Sequence, residues 1–143
     1  MTLAEICNIV TRAIASQPKS TEVKGLGVDI VPIESIAKLV DQGDRQSISL
    51  LFTPKEIDLC QSKSDFYQYY AVCFATKEAV GKALGTGLVG IDWNEIEANI
   101  TSNKVTINLS GKACAQAKKR GVQAWLANWC DWDKHILVQA IAL

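Results

Sequence analysis

Apolar residues at helical spacing open the chain: Leu3, Ile6, Cys7, Val10, Ala13 and Ile14 fall on one face of a helix over 2–16. Thr2 and Glu5 can close a capping box at its start, and Gln17-Pro18 ends it. Residues 17–22 are polar and read as a linker, so 1–22 forms an N-terminal extension and 23–143 the domain. The mostly apolar run over 23–31 predicts a buried strand. Helical spacing resumes over 33–40, stops at Gln42-Gly43-Asp44 and returns over 45–51. Thr53, Pro54 and Glu56 mark a helix start with cap, first-turn proline and capping-box acid. The longest helix runs from Ser64-Asp65 to about Leu84, with Gly85 as the residue that ends it. The period then changes to two. Residues 95–101 and 104–109 predict a hairpin across Ser102-Asn103, 110–120 a helix stopped by Gly121, and 122–129 with 135–141 a last strand pair. This order gives an α+β domain, an antiparallel sheet packed on a long central helix.

Composition narrows the function. In 143 residues, 15 Lys+Arg balance 15 Asp+Glu, which argues against a nucleic-acid binder or a basic membrane surface. No apolar run is long enough for a transmembrane helix, and the N-terminus lacks the basic start of a signal peptide. The cysteines number five, without CxxC spacing, and read as reduced thiols in a cytoplasm rather than a disulfide framework or zinc site.

Two stretches carry candidate chemistry. Over 74–87 (FATKEAVGKALGTG) the helix is apolar on most sides, with Val72, Ala75, Thr76, Ala79 and Ala83 on one face and Phe74, Val80 and Leu84 around it. Glu78 and Lys82 sit one turn apart on a common face. They are either a surface pair worth a few tenths of a kcal/mol or so, or part of a site. Lys77 points about 100° away from Glu78 and is the weaker candidate. The second stretch is Gly25-Leu26-Gly27-Val28-Asp29, where glycines permit close approach to the backbone and an acid interrupts an apolar strand. Asp29 is a turn residue, a cap for the helix near Pro32, or a ligand. Paired with Glu78 it would suit Mg²⁺, which takes few protein oxygens and leaves positions for water or phosphate. The basic run Lys118-Lys119-Arg120 reads as pairing with the dipole of its own helix.

Together, Gly27-Val28-Asp29-Ile30-Val31 and the 74–87 run resemble the 4′-phosphopantetheinyl transferases, most closely the short holo-acyl-carrier-protein synthase type. The likeness extends over 23–143 and includes Ile91-Asp92-Trp93-Asn94-Glu95-Ile96 and Leu109-Ser110-Gly111. It implies transfer of phosphopantetheine from coenzyme A to a serine of an acyl or peptidyl carrier protein, with release of adenosine 3′,5′-bisphosphate. It further implies Asp29 and Glu78 as Mg²⁺ ligands, Glu78 as base, Lys82 on the phosphates, and Gly85-Thr86-Gly87 against coenzyme A. The family's short members are trimers with the site between neighbours, and Trp125, Trp129, Ile136 and Val138 offer apolar surface for a homotrimer. Two other readings stand beside it: an impaired transferase-like domain serving as a structural partner of a synthase, and another Mg²⁺-dependent phosphate-transfer enzyme.

The chain departs from the family pattern in places. Pro32 and Ser35 stand where the family usually has Glu and Arg, and the helix that follows, with Glu34, Lys38 and Asp41, is not basic. Cys73 stands where the family usually has Arg, and Asn128-Trp129-Cys130-Asp131 covers its Ser-x-Ser/Thr-His element. Loss of that Arg and His is expected to weaken recognition of the 3′-phosphate of coenzyme A. The single histidine, His135, reads as packing.

Overall fold

A computed structural model describes residues 2–15 and 22–143. Helix α1 (Leu3–Ala15) starts on the expected capping box: Glu5 N donates to Thr2 Oγ1 at 3.2 Å, and the Glu5 carboxylate accepts from Thr2 N. Gln17-Pro18 lies outside the described residues. Strand β1 (Gly25–Pro32) is followed by α2 (Ile33–Gln42), α3 (Arg45–Leu51), α4 (Pro54–Gln61) and α5 (Phe66–Ala83). A single 3₁₀ turn (Trp93–Glu95) leads to β2 (Ile96–Thr101) and β3 (Lys104–Leu109), then α6 (Gly111–Lys119), β4 (Trp125–Trp132) and β5 (His135–Ala142).

The five strands form one antiparallel sheet in the order β1-β5-β4-β3-β2, so the first strand pairs with the last, from Gly25 opposite Ala142 to Pro32 opposite His135. With α5 packed against it, the domain is α+β as expected. The core lies between the two: Val72, Ala75, Ala79 and Val80 of α5 meet Val31, Ile96, Ile136, Val138 and Ala140 of the strands. Each fully buried Val or Ile stabilises the fold by about 1.5–3 kcal/mol. Strand β4 continues past the predicted stop at residue 129, to Trp132. The reason is a two-residue turn whose residues, Asp133 and Lys134, both adopt positive φ (48° and 60°), the conformation that joins twisted strands most tightly.

Strand β1 is not the buried strand that its apolar run predicts. It is an edge strand, and only the face carrying Gly25, Gly27, Asp29 and Val31 turns to α5. Leu26, Val28 and Ile30 are 58%, 42% and 51% exposed on the other face, and Trp132, across β5 on that face, is 58% exposed. The residues expected to offer apolar surface for assembly do not lie on this open face. Ile136 and Val138 are fully buried in the core, Trp125 and Trp129 lie on that same inner side, and the open patch belongs to β1 and the end of β4.

Candidate active site

The two glycines of the first motif explain how the site assembles. A Cβ built on Gly27 would fall 1.7 Å from the Ala79 carbonyl oxygen, and one on Gly25 1.9 Å from that of Ala83. Ala79 and Ala83 are one helical turn apart, and Gly25 and Gly27 share one strand face. Strand β1 thus lies directly on the backbone of α5, at a distance only glycine allows. Asp29, two residues further along the same face, is within reach of Lys82 and close enough for its charge to act on Glu78.

Lys82 Nζ donates to Asp29 Oδ1 at 2.9 Å and to the Val28 carbonyl oxygen at 2.9 Å. The Asp29 side chain is 15% exposed and that of Lys82 48% exposed, so the pair is reachable from solvent. Glu78 is half-buried next to them. Its carboxyl is held above the ordinary range, first by burial and then by the charge of Asp29, with Lys82 acting the other way. The surface Glu78–Lys82 pair is not what forms: Lys82 bonds across to the strand. Asp29 is neither a turn residue nor a helix cap, since it sits inside β1 opposite Val138.

The donor set fits a small hard cation. The Asp29 carboxylate and the Val28 carbonyl both meet the Lys82 ammonium, and Glu78 lies near enough to feel both charges, so the groups offered are all oxygen. Among the described residues no group of three or more acidic, cysteine or histidine side chains clusters.

Lys77, immediately before Glu78, goes the opposite way. Its ammonium is fully buried, 2.7 Å from Glu56 Oε1 and 3.1 Å from the Trp93 carbonyl, with a third bond to the Ile96 carbonyl. Glu56 also accepts from Thr53 N at 2.9 Å and Ala98 N at 3.0 Å. A capping-box acid, legible in the sequence as such, thereby joins α4, α5 and β2 in one buried network. No sequence signal linked it to Lys77.

Beyond α5, Gly85 and Gly87 adopt positive φ (79° and 58°). The close neighbour of Gly85 is Arg120, whose Nη1 donates to the Leu84 carbonyl at 2.7 Å and Nη2 to the Lys24 carbonyl at 3.1 Å. The expected pairing of Arg120 with its own helix is thus corrected. It caps α5 instead, because β1 and α5 end together beside it. Around Gly87 the space is open, and Thr86 lines a cleft of about 260 Å³ with Val89, Gly90, Lys112, Gln116 and Lys119. Nearby, Glu95 accepts from Lys112 N at 2.9 Å and Ala113 N at 3.3 Å, so the N-terminus of α6 is already satisfied.

Residues 25–134 match the family model described as the 4'-phosphopantetheinyl transferase superfamily. The chain belongs to this superfamily. Within it, this transferase is of the holo-acyl-carrier-protein synthase type. It is 34% identical over 122 residues to the holo-[acyl-carrier-protein] synthase of Desulforudis audaxviator, covering 85% of this chain and 93% of that one. The synthase of Geobacter sulfurreducens is 43% identical over 91 residues, 62% of this chain and 72% of that one. Among solved structures, the synthase of Neisseria meningitidis superposes with a TM-score of 0.74 at 25% identity, over 85% of this chain and 99% of that one. The Helicobacter pylori synthase, solved in complex with coenzyme A, gives a TM-score of 0.70 at 26% identity over 82% and 99%.

One departure from the family pattern changes meaning in the transferase fold. Cys73 is fully buried in α5, its Sγ 3.9 Å from that of Cys60. The hydrogen bond to Cys60 and burial hold its thiol well above the ordinary range. A side chain at this position in this chain points into the core, so Cys73 drops out of the account of 3′-phosphate recognition. Asp131 is exposed on β4. His135 Nδ1 lies 2.6 Å from the Asp133 carbonyl oxygen, which ties it to the β4–β5 turn.

Proposed function

We propose that the chain moves 4′-phosphopantetheine from coenzyme A to a serine hydroxyl of an acyl or peptidyl carrier protein, in a Mg²⁺-dependent reaction. The observation that carries this reading is the convergence of Asp29, Glu78 and Lys82 at the seam between β1 and α5. The serine oxygen attacks the β-phosphorus of coenzyme A, the bond to the bridging pyrophosphate oxygen breaks, and adenosine 3′,5′-bisphosphate leaves. Asp29 and Glu78 would hold Mg²⁺, which when bound supplies positive charge against the pyrophosphate. Glu78 accepts the serine proton. Lys82 contacts the phosphates and stabilises the departing charge. Thr86, Lys112 and Lys119 line a cleft beside Gly87 where an anionic donor can lie against backbone.

The reading includes a homotrimer with the site near the contact between neighbours. It is supported by the exposed apolar residues Leu26, Val28 and Ile30 of β1 and by Trp132, which stands on the same sheet face beyond β5. Residues 1–22 form an extension outside the catalytic domain. No helix among the described residues is long and apolar enough to cross a membrane, and we assign the reaction to the cytoplasm.

The test is a mass measurement. Incubated with coenzyme A, Mg²⁺ and a panel of apo carrier proteins, the protein should add one phosphopantetheine to a carrier serine. Asp29→Asn and Glu78→Gln should each lower kcat/KM by at least about a thousandfold, some 4 kcal/mol. Normal transfer by either variant would overturn the site assignment, and no transfer to any carrier would overturn the function.

A further inference from the structure

The ion pair between Lys82 and Asp29 contains more than a phosphate-binding lysine waiting for its ligand. Lys82 spans from α5 to β1 and spends its ammonium hydrogens on two oxygens of β1: Asp29 Oδ1, which would hold the proposed cation, and the Val28 carbonyl, each at 2.9 Å. A lysine that only awaited phosphate would extend into solvent, where its charge is best hydrated and its side-chain entropy kept. Here it is turned inward onto the carboxylate that the metal needs. The other acid, Glu78, is half-buried beside it and has no hydrogen-bonded cation among the described residues. The one ammonium is bonded to Asp29 and acts on Glu78 through its charge alone.

We propose that Lys82 is the resting counter-ion of the metal site: it occupies the cation's place until metal and pyrophosphate arrive together, and then passes from Asp29 to the phosphates. This rests on the metal site proposed above. One residue thereby has two partners in succession, and the exchange couples the two ligands. Metal alone must displace an ammonium from Asp29 and leave it without an anion. Metal with coenzyme A displaces it onto a new one. The site then binds each ligand better in the presence of the other, and free metal is held weakly. The geometry makes the exchange feasible because Lys82 is half-exposed on a flexible stem, whereas Lys77, fully buried with three partners, could not move.

The test uses the full chain and Mn²⁺ as probe, titrated by electron paramagnetic resonance with and without coenzyme A. Lys82→Met removes the charge and keeps the stem. Without coenzyme A, it should bind Mn²⁺ at least about tenfold more tightly than the parent, the effect of deleting one close positive charge. With coenzyme A, the parent should gain more affinity than the variant, so that the difference shrinks or reverses. Circular dichroism checks that both are folded, and Asp29→Asn in the Lys82→Met background should remove the tight Mn²⁺ binding. A Lys82→Met variant that is folded and binds Mn²⁺ no more tightly than the parent would overturn the counter-ion role while leaving the metal site standing. If neither protein binds Mn²⁺ in the presence of coenzyme A, the metal site itself fails and this inference with it.

Discussion

Helix α5 carries two lysine–carboxylate pairs that differ in every respect except chemistry. Lys77 and Glu56 are both fully buried, and every hydrogen-bonding position of the ammonium is filled by protein. Lys82 and Asp29, five residues along and about 140° around the helix, stand at the surface with 48% and 15% of their side chains exposed. The first pair can change only by unfolding its surroundings. The second can exchange partners with solvent or ligand at small cost. A rigid pair and an exchangeable pair thus sit on one helix: one fixes where α5 lies against α4 and β2, the other stays open to solvent.

The largest effect that separates the pairs is on stability. Lys77→Met leaves the Glu56 charge buried without its cation, and should cost about 3–5 kcal/mol in denaturant unfolding. Lys82→Met should cost less than about 1 kcal/mol, as exposed pairs do, while it disables transfer. Equal losses in the two variants would erase the distinction. Adding Glu56→Gln to Lys77→Met should recover part of the loss: the stranded charge is gone, but the single amide oxygen can accept from only one of Ala98 N and Thr53 N.

Somewhat smaller is the effect of the glycine that brings the open pair together. Gly27→Ala places a methyl group against the Ala79 carbonyl, and a backbone atom cannot step aside. We expect a loss of about 3 kcal/mol, together with a fall in transfer rate greater than the lost folded fraction explains, since Asp29 moves with the strand. Stability unchanged by this substitution would mean that β1 does not lie as close to α5 as the structure has it.

The smallest effect is a gain. Glu78 holds its proton more tightly in the folded protein than in the unfolded chain, through burial and then Asp29. Protonation therefore favours the fold: the contribution is fully present below the unfolded carboxylate value and is lost as pH rises through the raised native one. In chelator-treated buffer at neutral pH, ionised Glu78 works against folding. Glu78→Gln should then melt slightly higher than the parent at neutral pH and coincide with it near about pH 3. A variant that melts lower at neutral pH would place Glu78 among the stabilising charges.

What the sequence disclosed follows from the range of the interactions involved. The cap of Thr53 on Glu56, the stop at Gly85 and the turn at Ser102 depend on residues within a few positions, and each is legible from type and spacing. So is the resemblance of the two motifs, which named Asp29, Glu78 and Lys82 before any contact was visible. The partners of Lys77 and Arg120 are 16–21 and 36 or more residues away, and nothing in local pattern announces them. Strand β1 was misread for a related reason. A strand with apolar residues on both faces looks the same whether its second face is covered by its own chain or left open, as at Leu26, Val28 and Ile30.

Strand order has a temporal side. Asp29 sits on β1, whose sheet partner is β5, more than a hundred residues downstream. During synthesis α5, with Glu78 and Lys82, emerges long before the strand that holds β1 in register. A nascent chain therefore has Glu78 and Lys82 early but cannot fix Asp29 beside them until β5 has left the ribosome. A prematurely ended product that lacks β5 would keep most of its helices and have no ordered place for Asp29.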